Sequence, residues 1–264
     1  MKITVFTSNQ PRHINLINLI SEFAEETYAV LESNTLFPGL VQDFYNSSPT
    51  MQEYMIGVRN AEADLFGKSR FVSPRANTLV MKSADLNYLT QDHLKEALQS
   101  DIYIVFGSSF IKGWLIDFLI ENRALNIHMG LSPYYRGTSC NFWAMYDFLP
   151  NYVGATIHYL SKGLDSGPMI FHSVPEFNNE DPFAFTMKAV RKAQEDLVYF
   201  IKNLKQFDTN PVDQNRELQL RYTRNSDFTD EIAREFLDRK LSWQALEALI
   251  TNSKKPDLIE FKLA

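Results

Sequence analysis

Short runs of β-branched and aromatic residues alternate with amphipathic stretches through the first half of the chain, the pattern of a parallel sheet covered by helices. Residues 2–7 read as a strand, and from 14 to 30 apolar residues return every three or four positions as an amphipathic helix requires, with 28–31 as the next strand. The polar, proline-containing region 32–77 predicts a helix only near 51–63. Further on, 77–81 predicts a strand, 91–98 a short helix, 101–106 a buried strand, and Gly107-Ser108-Ser109 a turn into a helix over about 112–120. Residues 124–128 make the next strand. Side chains alternate along it, so Asn126 and His128 share one face. They emerge where the strand ends at Gly130, the carboxyl edge at which open α/β sheets bind ligands.

The second half predicts an antiparallel pair over 154–160 and 169–174, joined by a turn carrying Asp165-Ser166-Gly167-Pro168, and then a long helix over 186–203. Residues 207–215 read as a linker, and two helices follow near 230–237 and 243–250. We therefore expect an α/β, mostly parallel Rossmann-like sheet over 1–206 and a small C-terminal subdomain over 207–264, too small for a core of its own. Its apolar helix pair would suit a homodimer contact.

The residues that carry chemistry lie between Leu125 and Met169. They are Asn126-Ile127-His128-Met129-Gly130-Leu131-Ser132-Pro133-Tyr134-Tyr135-Arg136-Gly137, then Gly154-Ala155-Thr156-Ile157-His158, then Gly163-Leu164-Asp165-Ser166-Gly167-Pro168. Alone, His128 is most simply a core histidine satisfied by a carbonyl, and Asp165 a turn carboxylate bonded to backbone amides. Together the stretches resemble the catalytic signature of the folate-dependent formyltransferases, which include glycinamide ribonucleotide, methionyl-tRNA and nucleotide-linked amino-sugar formyltransferases. The resemblance implies the formyltransferase fold, 10-formyltetrahydrofolate as co-substrate and no metal, with Asn126, His128 and Asp165 as the active site. The chemistry suits these residue types. Acyl transfer to an amine puts negative charge on oxygen, which an amide N–H and an imidazole N–H can meet, while a carboxylate raises the imidazole pKa and relays the amine's proton.

The resemblance further implies that 106–111, including Phe106 and Ile111, line the pterin pocket, completed by Leu131, by Tyr159 to Gly163 and by backbone groups near Asn87 to Leu89. It also bears on the acceptor. The first loop, Thr7-Ser8-Asn9-Gln10-Pro11-Arg12-His13, lacks the Gly-rich phosphate loop of the glycinamide ribonucleotide enzymes, and 207–264 is smaller than the C-terminal barrel of the tRNA enzymes. The chain therefore resembles most the sugar formyltransferases, whose acceptor is a nucleotide-activated amino sugar used in surface polysaccharide or glycan synthesis. Asn9, Arg12 and His13 are candidates for sugar or phosphate contacts, or else a capped loop. Arg136 either pins a phosphate or holds its own loop, the latter being favoured. Tyr135 and its aromatic neighbours Tyr134, Phe142, Trp143 and Tyr146 either stack on the substrate or fill the core. His158 reads as a sheet filler or a partner of the Asp165 turn.

Other classes fit less well. A net charge of −6 disfavours nucleic acid as a partner. Cys140, the single cysteine, reads as a small buried hydrophobe. His128, His158, His172 and Asp165 lack metal-ligand spacing, and a glycine-free first loop disfavours a nicotinamide cofactor. Ser109-Phe110-Ile111-Lys112 matches an acylating-hydrolase pattern without its supporting motifs. With neither a signal peptide nor an apolar run of membrane-spanning length, we expect no membrane partner and a cytoplasmic location. Three rivals remain: a transferase acting on another small amine, a 10-formyltetrahydrofolate hydrolase with water as acceptor, and a non-catalytic sugar-nucleotide binding protein.

Overall fold

A computed structural model describes residues 1–42, 45–207 and 210–261. Its strands are β1 (Lys2–Ser8), β2 (Glu26–Ser33), β3 (Ala76–Lys82), β4 (Ile102–Phe106), β5 (Leu125–His128), β6 (Tyr135–Gly137), β7 (Ala155–Tyr159), β8 (Met169–Ser173) and β9 (Arg221–Thr223). Its helices are α1 (Pro11–Ser21), α2 (Pro49–Phe66), α3 (Gly113–Glu121), α4 (Cys140–Tyr146), α5 (Pro182–Lys202), α6 (Asp230–Asp238) and α7 (Trp243–Asn252). Seven strands form one sheet in the order β3-β2-β1-β4-β5-β7-β8. It is parallel from β3 to β5 and antiparallel beyond. The chain winds outward from β1 through β2 to β3, then resumes on the other side at β4. The order thus reverses between β1 and β4, which opens a crevice at their carboxyl ends.

Apolar burial on both faces holds the sheet. Leu16, Ile17, Ile104, Ile127, Phe171 and Leu197 belong to one core cluster, linking the sheet to α1 and α5. Phe6, Val105, Leu115 and Leu119 belong to another, under α3. A third, rich in aromatic residues, joins α4 to α2 and α6. Each fully buried Leu, Ile or Phe contributes roughly 1.5–3 kcal/mol. The α2 and α5 helices meet closely at Gly57, where a Cβ would lie 2.7 Å from the Phe183 ring.

The sheet corrects three sequence expectations. The first helix ends at Ser21, short of residue 30, because Glu25 N–H must bond Met1 O at 2.9 Å and residues 26–33 pair with β1. Residues 91–98 form turns with one 3₁₀ turn at Ala97–Gln99, since only Leu94 and Ala97 there are buried and so short a helix gains little cooperatively. The long helix starts earlier than 186, at Pro182, because Asp181 caps it by accepting from Phe183 N–H at 2.8 Å and Ala184 N–H at 3.2 Å.

Residues after α5 are tied to the sheet. In the segment expected as a linker, of which Asp208 and Thr209 lie outside the described residues, Val212 and Met169 exchange two backbone bonds of 2.8 Å. His172 N–H donates to Ile259 O at 2.8 Å, its Nδ1 accepts from Ile259 N–H at 2.9 Å, and Phe261 packs on Phe171 at 4.1 Å. Farther in, β9 lies parallel to β6, and Gly137 at φ +91 leaves no room for a side chain: a Cβ would stand 1.9 Å from Thr223 O. Gly137→Ala is therefore expected to destabilise the fold by at least about 2 kcal/mol, as strain and lost β6–β9 pairing combine. Thermal unfolding of the variant at unchanged midpoint would contradict this.

Candidate active site

Strand β5 carries two faces. Leu125 and Ile127 point into the core, leaving Asn126 and His128 on the opposite face, as period-two alternation requires. Asn126 pairs in register with Val105 of β4 on one side and with His158 of β7 on the other. That cross-strand register explains the first contact of the site: Asn126 Nδ2 donates to His158 Nε2 at 2.9 Å, while His158 Nδ1–H donates to Tyr159 O at 2.8 Å. Burial pushes the His158 imidazole down to about 4. A neutral ring protonated on Nδ1 can only accept at Nε2, so His158 fixes the amide and leaves Asn126 one further N–H.

His128 stands two residues on, its side chain 5% exposed. Its Nδ1 faces Asp165 Oδ1 at 3.3 Å, and its Nε2 donates to Tyr135 O at 3.1 Å. Burial alone would lower this imidazole, but the Asp165 carboxylate together with the Cys140 sulfur outweighs it and holds the ring well above its ordinary value. Burial likewise opposes ionisation of Asp165, and His128 first, with His158 and Arg136, more than offsets it, holding the carboxyl below its ordinary value. The two form a buried imidazolium–carboxylate pair. Cys140, buried as expected, lies against the ring with Sγ 3.6 Å from Nε2 and is also within 3.5 Å of Gly137 O.

Asp165 sits at φ +46, a conformation Asp tolerates better than most residues. Two side chains from elsewhere hold its turn. Arg136 donates to Leu164 O at 3.0 Å, and Gln214 donates to Asp165 O at 2.8 Å and Gly167 O at 2.9 Å. An amide, an imidazolium and a carboxylate thus converge at the carboxyl edge of the sheet.

Residues 54–200, more than half of the chain, match the family model described as formyl transferase. The chain belongs to the formyl transferase family. Its fold is similar to that of a 4-N formyltransferase from Francisella tularensis (TM-score 0.53, 18% identity, covering 86% of this chain and 77% of that one). It is similar too to a phosphoribosylglycinamide formyltransferase from Anaplasma phagocytophilum (TM-score 0.52, 18% identity, covering 84% of this chain and 98% of that one). A third similar fold is an N-formyltransferase from Helicobacter canadensis in complex with folinic acid and dTDP-3-aminofucose (TM-score 0.52, 14% identity, covering 89% and 79%).

The remaining candidates of this formyl transferase fall into two groups. Phe106, Ile111 and Leu131 are at most 6% exposed, so they form the floor beneath the edge. Above them, two loops are tied together: Asn87 donates to Phe110 O at 3.0 Å and accepts from Lys112 N–H at 2.7 Å. The Glu32 carboxylate joins them from below, taking Ala84 N–H at 2.7 Å and the Ser109 hydroxyl at 2.8 Å. The Tyr88 and Phe110 rings are exposed there; both fall inside the segments that the resemblance assigns to the pterin pocket, though without naming either ring. Tyr159 is partly buried beneath the Arg123 guanidinium, and Gly163 is exposed at the start of the Asp165 turn.

The acceptor candidates are mostly internal. Tyr135 is 1% exposed with its hydroxyl on Asp147 at 3.0 Å, so its ring lies in the core; its carbonyl, facing His128, is what reaches the site. Arg136 is 7% exposed and engaged with Leu164 and Gln219, so the contacts it makes here are those of the turn. His13 is buried beside Gly107, stacked edge-on to Phe106 at 4.8 Å and bonded to Gln10 at 2.7 Å, and burial holds it well below its ordinary value. Asn9 joins Asn34, and Arg12 pairs with Glu62 at 2.8 Å. Among the described residues two half-open clefts lie away from Asn126, His128 and Asp165: one of about 210 Å³ beside Pro11, another of about 360 Å³ beside Tyr45 and Asp230.

Proposed function

We propose that this formyl transferase moves a formyl group from 10-formyltetrahydrofolate to the amine of a nucleotide-activated amino sugar. The observation that carries the transfer chemistry is the oriented Asn126 amide beside the His128–Asp165 pair. When bound, the donor supplies a formyl carbon attached to nitrogen. The flat ring of a folate suits the exposed Phe110 and Tyr88 rings above the Phe106 and Ile111 floor.

The acceptor amine attacks the formyl carbon, forming a C–N bond and pushing an electron pair onto oxygen. The N–H that Asn126 has left over meets that oxygen, and the fixed positive charge of His128 stabilises it at short range. With both ring nitrogens engaged, His128 acts as a charge unless the substrate displaces the Tyr135 carbonyl from Nε2. As the adduct collapses, the bond to the folate nitrogen breaks; the amine's proton leaves by way of Asp165 and ends on that nitrogen.

Two observations support the amino-sugar acceptor. The β1–α1 loop is closed by side-chain pairs and carries no Gly-rich phosphate loop, and a similar fold binds an amino-sugar nucleotide. A panel of nucleotide-linked amino sugars incubated with the donor should contain one that gains a single formyl group by mass. Formate release without any acceptor would instead indicate a hydrolase.

A further inference from the structure

The cavity of about 210 Å³ lies beyond the carboxyl ends of β1 and β2, between the start of α1, the second half of α2 and the loop after β2. It is a built feature. Asn9 Nδ2 donates to Asn34 O and Asn34 N–H donates to Asn9 Oδ1, each at 2.9 Å, and Arg59 donates to Pro38 O at 2.8 Å, so the loop is fastened at both ends. Glu62, 7% exposed, forms part of the floor. One of its oxygens takes both the backbone N–H of Arg12 at 3.1 Å and the Arg12 guanidinium at 2.8 Å. Arg12 balances the charge of Glu62, which leaves Arg59 and Lys68 to make the lining net positive. Phe37, 55% exposed, and Leu36, 42% exposed, supply an apolar rim.

We propose that this cavity is the subsite for the nucleoside diphosphate end of the acceptor, with the base against Phe37, the phosphates toward Arg59 and Lys68, and sugar hydroxyls within reach of Glu62 and Asn60. The proposal rests on the amino-sugar reading and states where the far end of that substrate sits. Two magnitudes support it. At about 210 Å³ the cavity is below the ~300–1,000 Å³ typical of a whole small-molecule site, so it fits one end of a longer ligand. From β5, which carries Asn126, to β2 is three strand spacings by way of β4 and β1, roughly 14 Å, a distance that a hexose and pyrophosphate laid end to end can bridge. The ligand would cross the switch-point crevice, over His13 and Gly107.

Calorimetric titration of the full chain with uridine, thymidine, cytidine, guanosine and adenosine diphosphates, and separately with tetrahydrofolate, tests this. At least one nucleoside diphosphate should bind. Lys68→Glu should weaken it about tenfold or more by replacing a phosphate-facing cation, and Phe37→Ala should weaken it by about tenfold through lost base stacking. Both residues are exposed, so the fold should survive, with tetrahydrofolate affinity unchanged as the control. Binding of no nucleoside diphosphate, or equal affinity in both variants, overturns the proposal. The acceptor screen separates its failure from that of the reading beneath it. A formylated nucleotide sugar whose KM neither variant moves keeps the amino-sugar reading and removes the subsite. Nucleotide binding sensitive to both variants, with no sugar formylated, removes the amino-sugar reading.

Discussion

Asn126→Ala should lower kcat by about 10²–10³-fold, the cost of removing one hydrogen-bond donor aimed at a developing oxyanion, while nucleotide and tetrahydrofolate affinities stay within a few fold. The asymmetry follows from the geometry. The amide is oriented from below by His158, not by a substrate, so the ground-state complexes lose little when it goes. Asn126→Asp should be at least as damaging, because an ionised carboxylate has no N–H to offer and places negative charge where the reaction develops more. The same reasoning gives an acid limit. His158 titrates near 4, and once protonated its Nε2 donates and can no longer accept from Asn126. Activity should therefore fall as pH drops toward that value. Steady-state kinetics with the formyl acceptor, paired with binding measurements on the inactive variant, checks both. A kcat within tenfold of the parent would remove Asn126 from the chemistry.

How much of this was legible beforehand depends on the range of the interactions involved. Asn126 and His128 could be placed on one face at a sheet edge because strand alternation is local, and the Asp165 turn because Gly163, Gly167 and Pro168 surround it. His158 was undervalued: its role as the orienter of Asn126 appears only once β5 and β7 are known to run antiparallel with these two residues opposite each other. Gln214 carries no local signal at all, since it reaches the Asp165 turn from a segment that reads as a linker. Tyr135 and Arg136 could be read either as substrate contacts or as internal residues from their types. Both are internal because β9, more than eighty residues later, pairs with β6, and Asp147 and Gln219 take their polar ends. The end of α1 was missed for the same physical reason, because pairing of β2 with β1 overrides a helical apolar spacing that would otherwise run on.

Asp165→Asn should be the more revealing change, since it alters the charge on His128 without deleting it. The parent pair sets two pH limits. His128 has a folded pKa above its unfolded value, so its stabilisation is full below about 6.5 and is lost as pH rises through the raised folded value. Asp165 has a folded pKa below its unfolded value, so its stabilisation is present above 3.8 and is lost as pH falls through the depressed one. The pair is intact between these limits, including neutral pH. In the Asn variant the Asp165 limit disappears and the His128 limit moves down, and burial, no longer opposed by that carboxylate, should leave His128 neutral at pH 7. Breaking a buried ion pair typically costs about 3–5 kcal/mol when the orphaned charge stays charged. An imidazole can shed its proton, so the loss of stability should be smaller than that. The loss of rate should not be small, because the positive charge beside the oxyanion disappears: kcat at pH 7.5 should fall by about 10²-fold or more, of the order found for one oxyanion-stabilising group. Activity lost above neutral pH in the parent should be lost at lower pH in the variant, and the ring C–H resonances of His128 should titrate at correspondingly lower pH. If they report an imidazolium at pH 7 in the variant as in the parent, the Asp165 carboxylate is not what charges the ring, and the electrostatic account of the site fails.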